Sequence, residues 1–263
     1  MDLMTGAAPR ETLVVRFEDD ICFIRIHRPG ANNTIDDLLV REFTEVLDLC
    51  EASVKIVVIE GSPEVFCFGA DFKAIQRRVE GGQSGQIFDP GPMYDLWLRL
   101  ATGPYVTVAH VRGQANAGGI GFVAACDIVL CDEGASFGLS ELLFGLMPAC
   151  VMPFLARRMG FAKANYMTLM TEPVSARCAH EWGLVDECAP DSQNLLRKKL
   201  LRLRRLSKPA ILRYKRYMNA LDDSLAAFKA RALAANVEVF GDRDNLQKIA
   251  RYVKTGQFPW EGG

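Results

Sequence analysis

Two stretches of this 263-residue sequence hold the residue types that chemistry at a carbonyl requires. The first is Arg112-Gly-Gln-Ala-Asn-Ala-Gly-Gly-Ile-Gly121, in which Gly113, Gly118, Gly119 and Gly121 crowd nine positions. An apolar run, 105–111, leads into it and reads as a buried strand, and the run 122–125 that follows has helical character. A strand that breaks into glycines and then opens a helix exposes backbone N–H groups with no intrahelical partner, at the positive end of the helix dipole. Such groups bind an anion, or stabilise one that forms during a reaction. The second stretch, Phe66-Cys-Phe-Gly-Ala-Asp71, again runs strand, glycine turn, helix, and Asp71 is placed to cap that helix. Side by side, the two turns could each aim one N–H at a single oxygen. That is an oxyanion hole, which a thioester carbonyl needs to become an enolate.

The glycine turn also fits two nucleotide-binding patterns, and both fail. Gly119-Ile-Gly-Phe-Val-Ala124 matches G-x-G-x-x-[G/A], and Glu141 lies twenty residues beyond Gly121. A dinucleotide fold needs a full helix and then a strand ending at the acidic residue. Here the strand-like run 127–131 begins too soon, and Glu141 lies well past it. Gly113-x4-Gly118-Gly119 resembles a phosphate-binding loop without its Lys and Ser/Thr. Taken alone, the stretch reads as a tight turn whose glycines permit close backbone packing.

Composition bounds the rest. The net charge is −1 and 49% of residues are hydrophobic, enough for one large core. No apolar stretch approaches the ~20 residues of a membrane span, and the start, MDLMTGAAPRE, lacks the pattern of a signal peptide. The eight cysteines contain no C-x-x-C pair and mostly sit in apolar runs, so they read as reduced core residues of a cytoplasmic protein. His27, His110 and His180 lack metal-ligand spacing, so no metal site is expected. The near-neutral balance argues against nucleic acid as a partner.

The elements that must position the two turns can be read in order. Runs 13–17 and 21–27 alternate and are split by Glu18-Asp-Asp20, a hairpin signal. Residues 34–50 have helical spacing, with Thr34 as the expected N-cap. Residues 54–59 read as a strand, apolar apart from Lys55, 63–70 as a loop, and a helix is expected from about Asp71. Residues 81–92, rich in Gly and Pro, are expected to form a mobile loop, and 92–101 a short helix with Tyr94 and Trp97. After the glycine turn come a helix, the 127–131 strand and an extended piece at 135–139. Beyond Pro148 the pattern is almost entirely helical, in seven segments from 150 to 254. There is no internal sequence repeat. The expectation is an α/β core over 1–190 and a helical region over 191–263, of a kind that often packs on a neighbouring subunit.

At this point the sequence resembles a known family. Phe66–Asp71, the glycine turn with Cys126-Asp-Ile128, and Phe137-Gly-Leu-Ser-Glu141 follow the order and spacing of the crotonase (enoyl-CoA hydratase/isomerase) superfamily. Arg28-Pro-x-Ala-Asn-Asn33, the segment from Ala176 to Gly183-Leu-Val-Asp186, and Lys208-Pro209 match its first loop and its helical end. The resemblance implies an α/β spiral of ββα turns with a C-terminal helical trimerisation region. It implies an oxyanion hole made by the N–H groups of Ala70 and Gly118. Hydratases of the superfamily hold one water between two glutamates. The second of these matches Glu141, which from spacing alone would read as a solvated loop carboxylate, and the first falls on Gly121, which has no side chain. One carboxylate beside a stabilised enolate still suffices for elimination, taking the α-proton as base and returning it to the departing β-hydroxyl.

A closer resemblance rests on Ala31-Asn-Asn-Thr34, Val65-Phe-Cys-Phe-Gly-Ala-Asp-Phe72, Tyr94-Asp-Leu-Trp97, Gly103-Pro-Tyr-Val106, Asn116-Ala-Gly-Gly119, Ser140-Glu-Leu-Leu-Phe-Gly145 and Gly256-Gln-Phe-Pro-Trp260. These are similar to the first enoyl-CoA-hydratase-like enzyme of polyketide β-branching cassettes, which follows an HMG-synthase-like protein. The resemblance implies a lyase that dehydrates 3-hydroxy-3-methylglutaryl on an acyl carrier protein to the 3-methylglutaconyl thioester. It implies no cofactor beyond the phosphopantetheine arm that carries the substrate, and a homotrimer or a dimer of trimers. The alternatives are a decarboxylase, isomerase or hydratase of the same superfamily acting on acyl-CoA, or a non-catalytic member that binds a carrier. Catalytic candidates are Glu141 and, more weakly, Asp71. Phe68, Tyr94 and Asn116 are candidate substrate contacts, though Asp71, Tyr94 and Asn116 also read as a helix cap, a packing aromatic and a turn former. Residues 197–206 form a basic helical face opposite a leucine face, and Arg77-Arg78 form a second basic patch. Each reads either as a solvated surface or as a docking site for an acidic carrier.

Overall fold

The protein is described by a computed structural model covering residues 10–81 and 89–261. The first nine residues, which include most of the MDLMTGAAPRE start, and 82–88 of the expected Gly/Pro-rich loop lie outside the described residues.

Ten strands and eleven helices are described. In chain order they are β1 (Leu13–Glu18), β2 (Ile21–Ile26), α1 (Asp37–Cys50), β3 (Ile56–Glu60), β4 (Val65–Cys67), α2 (Phe72–Glu80) and α3 (Gly91–Thr102). Next come β5 (Val106–Val111), β6 (Gln114–Asn116), α4 (Gly118–Ala125), β7 (Ile128–Asp132), β8 (Ser136–Gly138), α5 (Met152–Met159) and α6 (Phe161–Met170). The remainder is β9 (Val174–Ser175), α7 (Ala176–Glu181), β10 (Glu187–Ala189), α8 (Ser192–Leu203), α9 (Lys208–Leu221), α10 (Ser224–Gly241) and α11 (Arg243–Thr255).

The strands form two sheets. The larger has the order β1-β2-β3-β5-β7-β10 and is parallel except for the β1–β2 hairpin. The smaller has the order β4-β6-β8-β9, with β4, β6 and β8 parallel. Three times in succession the chain lays one strand in the large sheet and then one in the small: β3 then β4, β5 then β6, β7 then β8. The ββα spiral is therefore a structural repeat with no repeat in the sequence. Its turns share a path, and each meets different neighbours, so each carries different side chains.

The strand reading was close in the large sheet and incomplete in the small one. β3 is apolar from Ile56 to Ile59 because both its faces are covered. Val57 and Ile59 join the main core, while Ile56 and Val58 pack with Leu196 and Leu200 of α8. β4 matches the strand expected to lead into the Gly69 turn, while the short strands β6, β9 and β10 lie where no strand is expected. Two or three residues are too few to show a period. The expected cap Thr34 is replaced by Asp36, whose side chain accepts from the Leu39 N–H at 2.8 Å.

The leucine face of α8 covers the second face of the large sheet, so the core continues past residue 190. A buried polar chain pins the start of this helix. Glu60 bonds His110 Nδ1 at 2.8 Å, His110 Nε2 bonds Ser192 Oγ at 3.0 Å, and Ser192 donates to Asp132 at 3.2 Å. His110 and Ser192 are sealed from solvent, so this Glu–His–Ser constellation is structural and no nucleophilic site. The last helix, α11, packs on α2 of its own chain. There Phe144, Tyr252 and Phe258 form an aromatic cluster with Phe72.

Candidate active site

β4, β6 and β8 lie side by side and point the same way, so the residues that follow them emerge together. Ala70 stands three residues beyond β4, Gly118 two beyond β6 and Glu141 three beyond β8. The site is thus the carboxyl end of the small sheet, the end where open parallel sheets gather their chemistry.

The first amide belongs to Ala70. Ile35 N–H donates to the Gly69 carbonyl at 2.7 Å, and Asp71 N–H donates to the Ile35 carbonyl at 3.3 Å. That parallel bridge uses the groups on either side of Ala70 and leaves the Ala70 N–H out of it. Gly69 has φ +83°, in the left-handed region. A Cβ there would lie 2.7 Å from the Ala117 Cβ and 3.0 Å from the Gly118 nitrogen. The two turns therefore touch, as an oxyanion hole demands.

The second amide belongs to Gly118, the first residue of α4, and so lacks an intrahelical acceptor. Ala117 before it has φ 50° and ψ −123°, a conformation costly for a residue with a side chain. Ala117 is held there by its N–H to Gly138 O and by its own carbonyl, which accepts from Ile120, both at 2.9 Å. From Gly119 to Ala125 the helix is buried, so its dipole acts in a poorly screened interior.

Glu141 opens a single 3-10 turn, Glu141–Phe144, that ends on left-handed Gly145. Its carboxyl is buried, and Oε2 has no hydrogen-bond partner. Burial raises its pKa from 4.5 to about 7, against smaller lowering contributions from the backbone of Glu141 and Ser140. The expectation of a solvated loop carboxylate from spacing alone is thus reversed. The turn is braced from behind. Asn245 of α11 donates to the Gly145 carbonyl at 2.9 Å, and the buried Phe144 sits in the aromatic cluster.

The remaining candidates divide. Asp71 sits beside Ala70, but both its oxygens are engaged. One caps α2 by accepting from Ala74 N–H at 3.0 Å, and the other pairs with Arg28 at 3.3 Å. Asn116 donates to Ser140 Oγ at 3.0 Å and so ties β6 to the turn bearing Glu141. Tyr94 is wholly buried and donates to the Leu225 carbonyl at 2.6 Å, anchoring α10 to α3. Phe68 is half-exposed beside the Gly69 turn. Of the basic patches, Arg77 is exposed on α2, directly after the Ala70 turn. The α8 patch lies on the outer side of the large sheet, where Arg204 pairs with Asp19.

Trp97 was quoted in a motif but never singled out for chemistry. Its indole packs on Gly121, where a Cβ would lie 2.5 Å from Cε2 and 2.6 Å from Cη2. The space of the absent side chain is therefore filled. Asn236 of α10, buried with Oδ1 unpartnered, also went unnoticed. Aromatic and amide residues on amphipathic helices look like packing in a sequence, and nothing there marks these two.

Comparison with known proteins identifies the family. A profile of the family described as enoyl-CoA hydratase/isomerase matches residues 16–263. The chain is 56% identical over 262 residues to the bacillaene synthase dehydratase PksH of Bacillus subtilis, covering 99% of each. A crystal structure from Bacillus subtilis, described as a polyketide biosynthesis enoyl-CoA hydratase, superposes with TM-score 0.93 over 95% of this chain and 100% of that one, at 56% identity. A Thermus thermophilus protein named as an enoyl-CoA hydratase is 33% identical over 183 residues, 69% of this chain and 72% of its own.

Proposed function

The chain belongs to the enoyl-CoA hydratase/isomerase family, and on that premise we propose that it works as a dehydratase of polyketide biosynthesis. In this reading the substrate is a 3-hydroxy-3-methylglutaryl thioester on the phosphopantetheine arm of an acyl carrier protein. The product is the 3-methylglutaconyl thioester used for β-branching. One observation carries it: a buried, unpartnered carboxyl, Glu141, follows β8 at the same sheet end as the turns of Ala70 and Gly118, while the place of a second carboxyl is taken by Trp97.

The chemistry follows from the geometry. The thioester oxygen accepts from the N–H groups of Ala70 and Gly118. Glu141, as carboxylate, takes the α-proton, and the electron pair moves onto that oxygen as an enolate. Collapse of the enolate forms the α,β double bond and breaks the bond to the β-oxygen, which leaves as water with the proton that Glu141 returns. A carboxyl titrating near neutrality suits both steps, because neither protonation state is far away in energy. Each amide donor is worth roughly 10²–10³ in rate in such sites. The name of the relative at 56% identity supports elimination over the other reactions of the family.

The same reading includes a homotrimer, or two trimers, and no resident cofactor. Exposed Leu212, Tyr214, Tyr217 and Leu221 along α9 support self-association. The test is to incubate the protein with the carrier-bound substrate and weigh the acyl group. Loss of one water is expected, and loss of carbon dioxide as the first event overturns the reading.

A further inference from the structure

Trp97 packs against the helix that opens on Gly118. Its ring rests on Gly121, and Cζ2 comes 4.0 Å from where a Cβ on Gly118 would stand. It therefore borders the helix turn that supplies the second amide donor. The residue is 2% exposed, and its ring is fixed edge-on against Phe122 and Phe154, with centroids at 6.1 and 5.9 Å. Its Nε1–H, one bond from Cε2, is buried and has no hydrogen-bond partner. An indole has only this one polar group, and it can only donate. A buried donor left unpaired is costly, and such a group in a native interior needs a reason. Glu141 Oε2, in the same site, is also unpartnered. An unsatisfied donor thus stands against α4, and an unsatisfied acceptor stands in the turn that follows β8.

We propose that Trp97 is a further catalytic residue, whose Nε1–H donates a hydrogen bond to the β-oxygen of the substrate as that oxygen departs. The inference rests on the dehydratase reading above. The β-oxygen gains negative charge as its bond to carbon breaks, and a donor that waits in a dry, fixed position favours that charge without reorganising. The bond that forms is the O–H bond to the proton of Glu141, and the indole keeps its own proton throughout. A donor-only group also sets the direction of chemistry. It can assist a leaving oxygen, but it cannot deprotonate a water and so cannot replace the missing carboxylate as a base.

The test uses the full chain with Trp97→Phe, and a second variant with 3-benzothienylalanine at position 97, which keeps the ring system and replaces N–H by sulfur. Two rates are read. One is elimination from the carrier-bound 3-hydroxy-3-methylglutaryl thioester. The other is α-hydrogen exchange with deuterated water in the carrier-bound 3-methylglutaryl thioester, which forms the enolate but has no oxygen to lose. Elimination is expected to fall about 10- to 100-fold in kcat in both variants, with exchange unchanged. Equal loss of both rates makes Trp97 a packing residue and overturns the proposal, as does unchanged elimination in the benzothienyl variant. If the wild-type chain exchanges the α-hydrogen but eliminates no water, the dehydratase reading itself has failed, and the role of Trp97 falls with it.

Discussion

Arg28 reaches Asp71 across 43 positions of sequence and closes a 3.3 Å ion pair between the first loop and the turn that carries Ala70. Arg28 also pairs with Asp36 at 2.6 Å and donates to the Thr34 hydroxyl at 3.1 Å. One guanidinium thus binds the cap of α1, the cap of α2 and the loop between β2 and α1. The position of Ala70, the proposed first oxyanion donor, depends on this clamp rather than on any side chain of its own.

Asp71→Asn separates structure from chemistry at this point. Asn caps a helix as well as Asp does, so the loss is confined to the ion pair, about 1–2 kcal/mol of stability. Turnover is expected to stay within ~10-fold of wild type. A loss of ~10³-fold at full folding would make Asp71 a proton carrier.

Glu141→Gln is expected to lower kcat by ~10³-fold or more, because the same group serves as base and acid. Its fold is expected to survive, since the amide fills the same volume without a charge to bury. Circular dichroism and turnover of one preparation check both halves. A variant that still turns over near the wild-type rate would show that another group carries the proton.

The raised pKa of Glu141 gives two pH signatures. The base must be ionised in the free enzyme, so kcat/KM should fall about tenfold for each pH unit below about 7. For stability the sign is fixed by a folded value above the unfolded one. The folded chain holds a proton that the unfolded chain has released, so stability is fullest below 4.5 and declines as pH rises to about 7. The decline is roughly 3 kcal/mol. Denaturant titrations of wild type and Glu141→Gln should differ in this window, with the variant flatter.

Gly121→Ala forces a methyl group into the Trp97 ring, because both partners are buried in a packed interior. A cost of about 1–3 kcal/mol is expected. Thermal unfolding measures it. An unchanged midpoint would mean that the indole moves freely, which its aromatic neighbours on α4 and α5 oppose.

Charge reversal tests carrier docking. Arg77→Glu, on the helix that follows the Ala70 turn, is expected to weaken carrier affinity ~3- to 10-fold at low salt. Reversal within 197–205 is expected to weaken it less, because that face lies on the outer side of the large sheet. Binding titrations at two salt concentrations read both effects, and equal affinity in all forms returns both patches to solvated surface.

Much of this site was legible before the fold was known, and the reason is local. Gly69, Ala70, Ala117 and Gly118 act through the backbone, and backbone turns leave a signature in neighbouring residue types. Glu141 was found by motif, yet its burial could not be. The groups that brace its turn, Phe144, Asn245, Tyr252 and Phe258, include three from the far end of the chain. Tyr94 and Trp97 show the same limit. Three residues apart on one helix, both look like packing aromatics, and only the partners distinguish them: a carbonyl of α10 for one hydroxyl, nothing for the other N–H.

The brace between α11 and the turn after β8 sets an order of assembly. Asn245 lies 100 positions beyond the Gly145 carbonyl it holds. On a ribosome, the sheet with its two amides can emerge and settle while the residues that hold Glu141 are still unmade. The nascent protein would then have a place for the oxygen before it has control of the proton. Nicking between α10 and α11 would loosen the same brace in a finished chain.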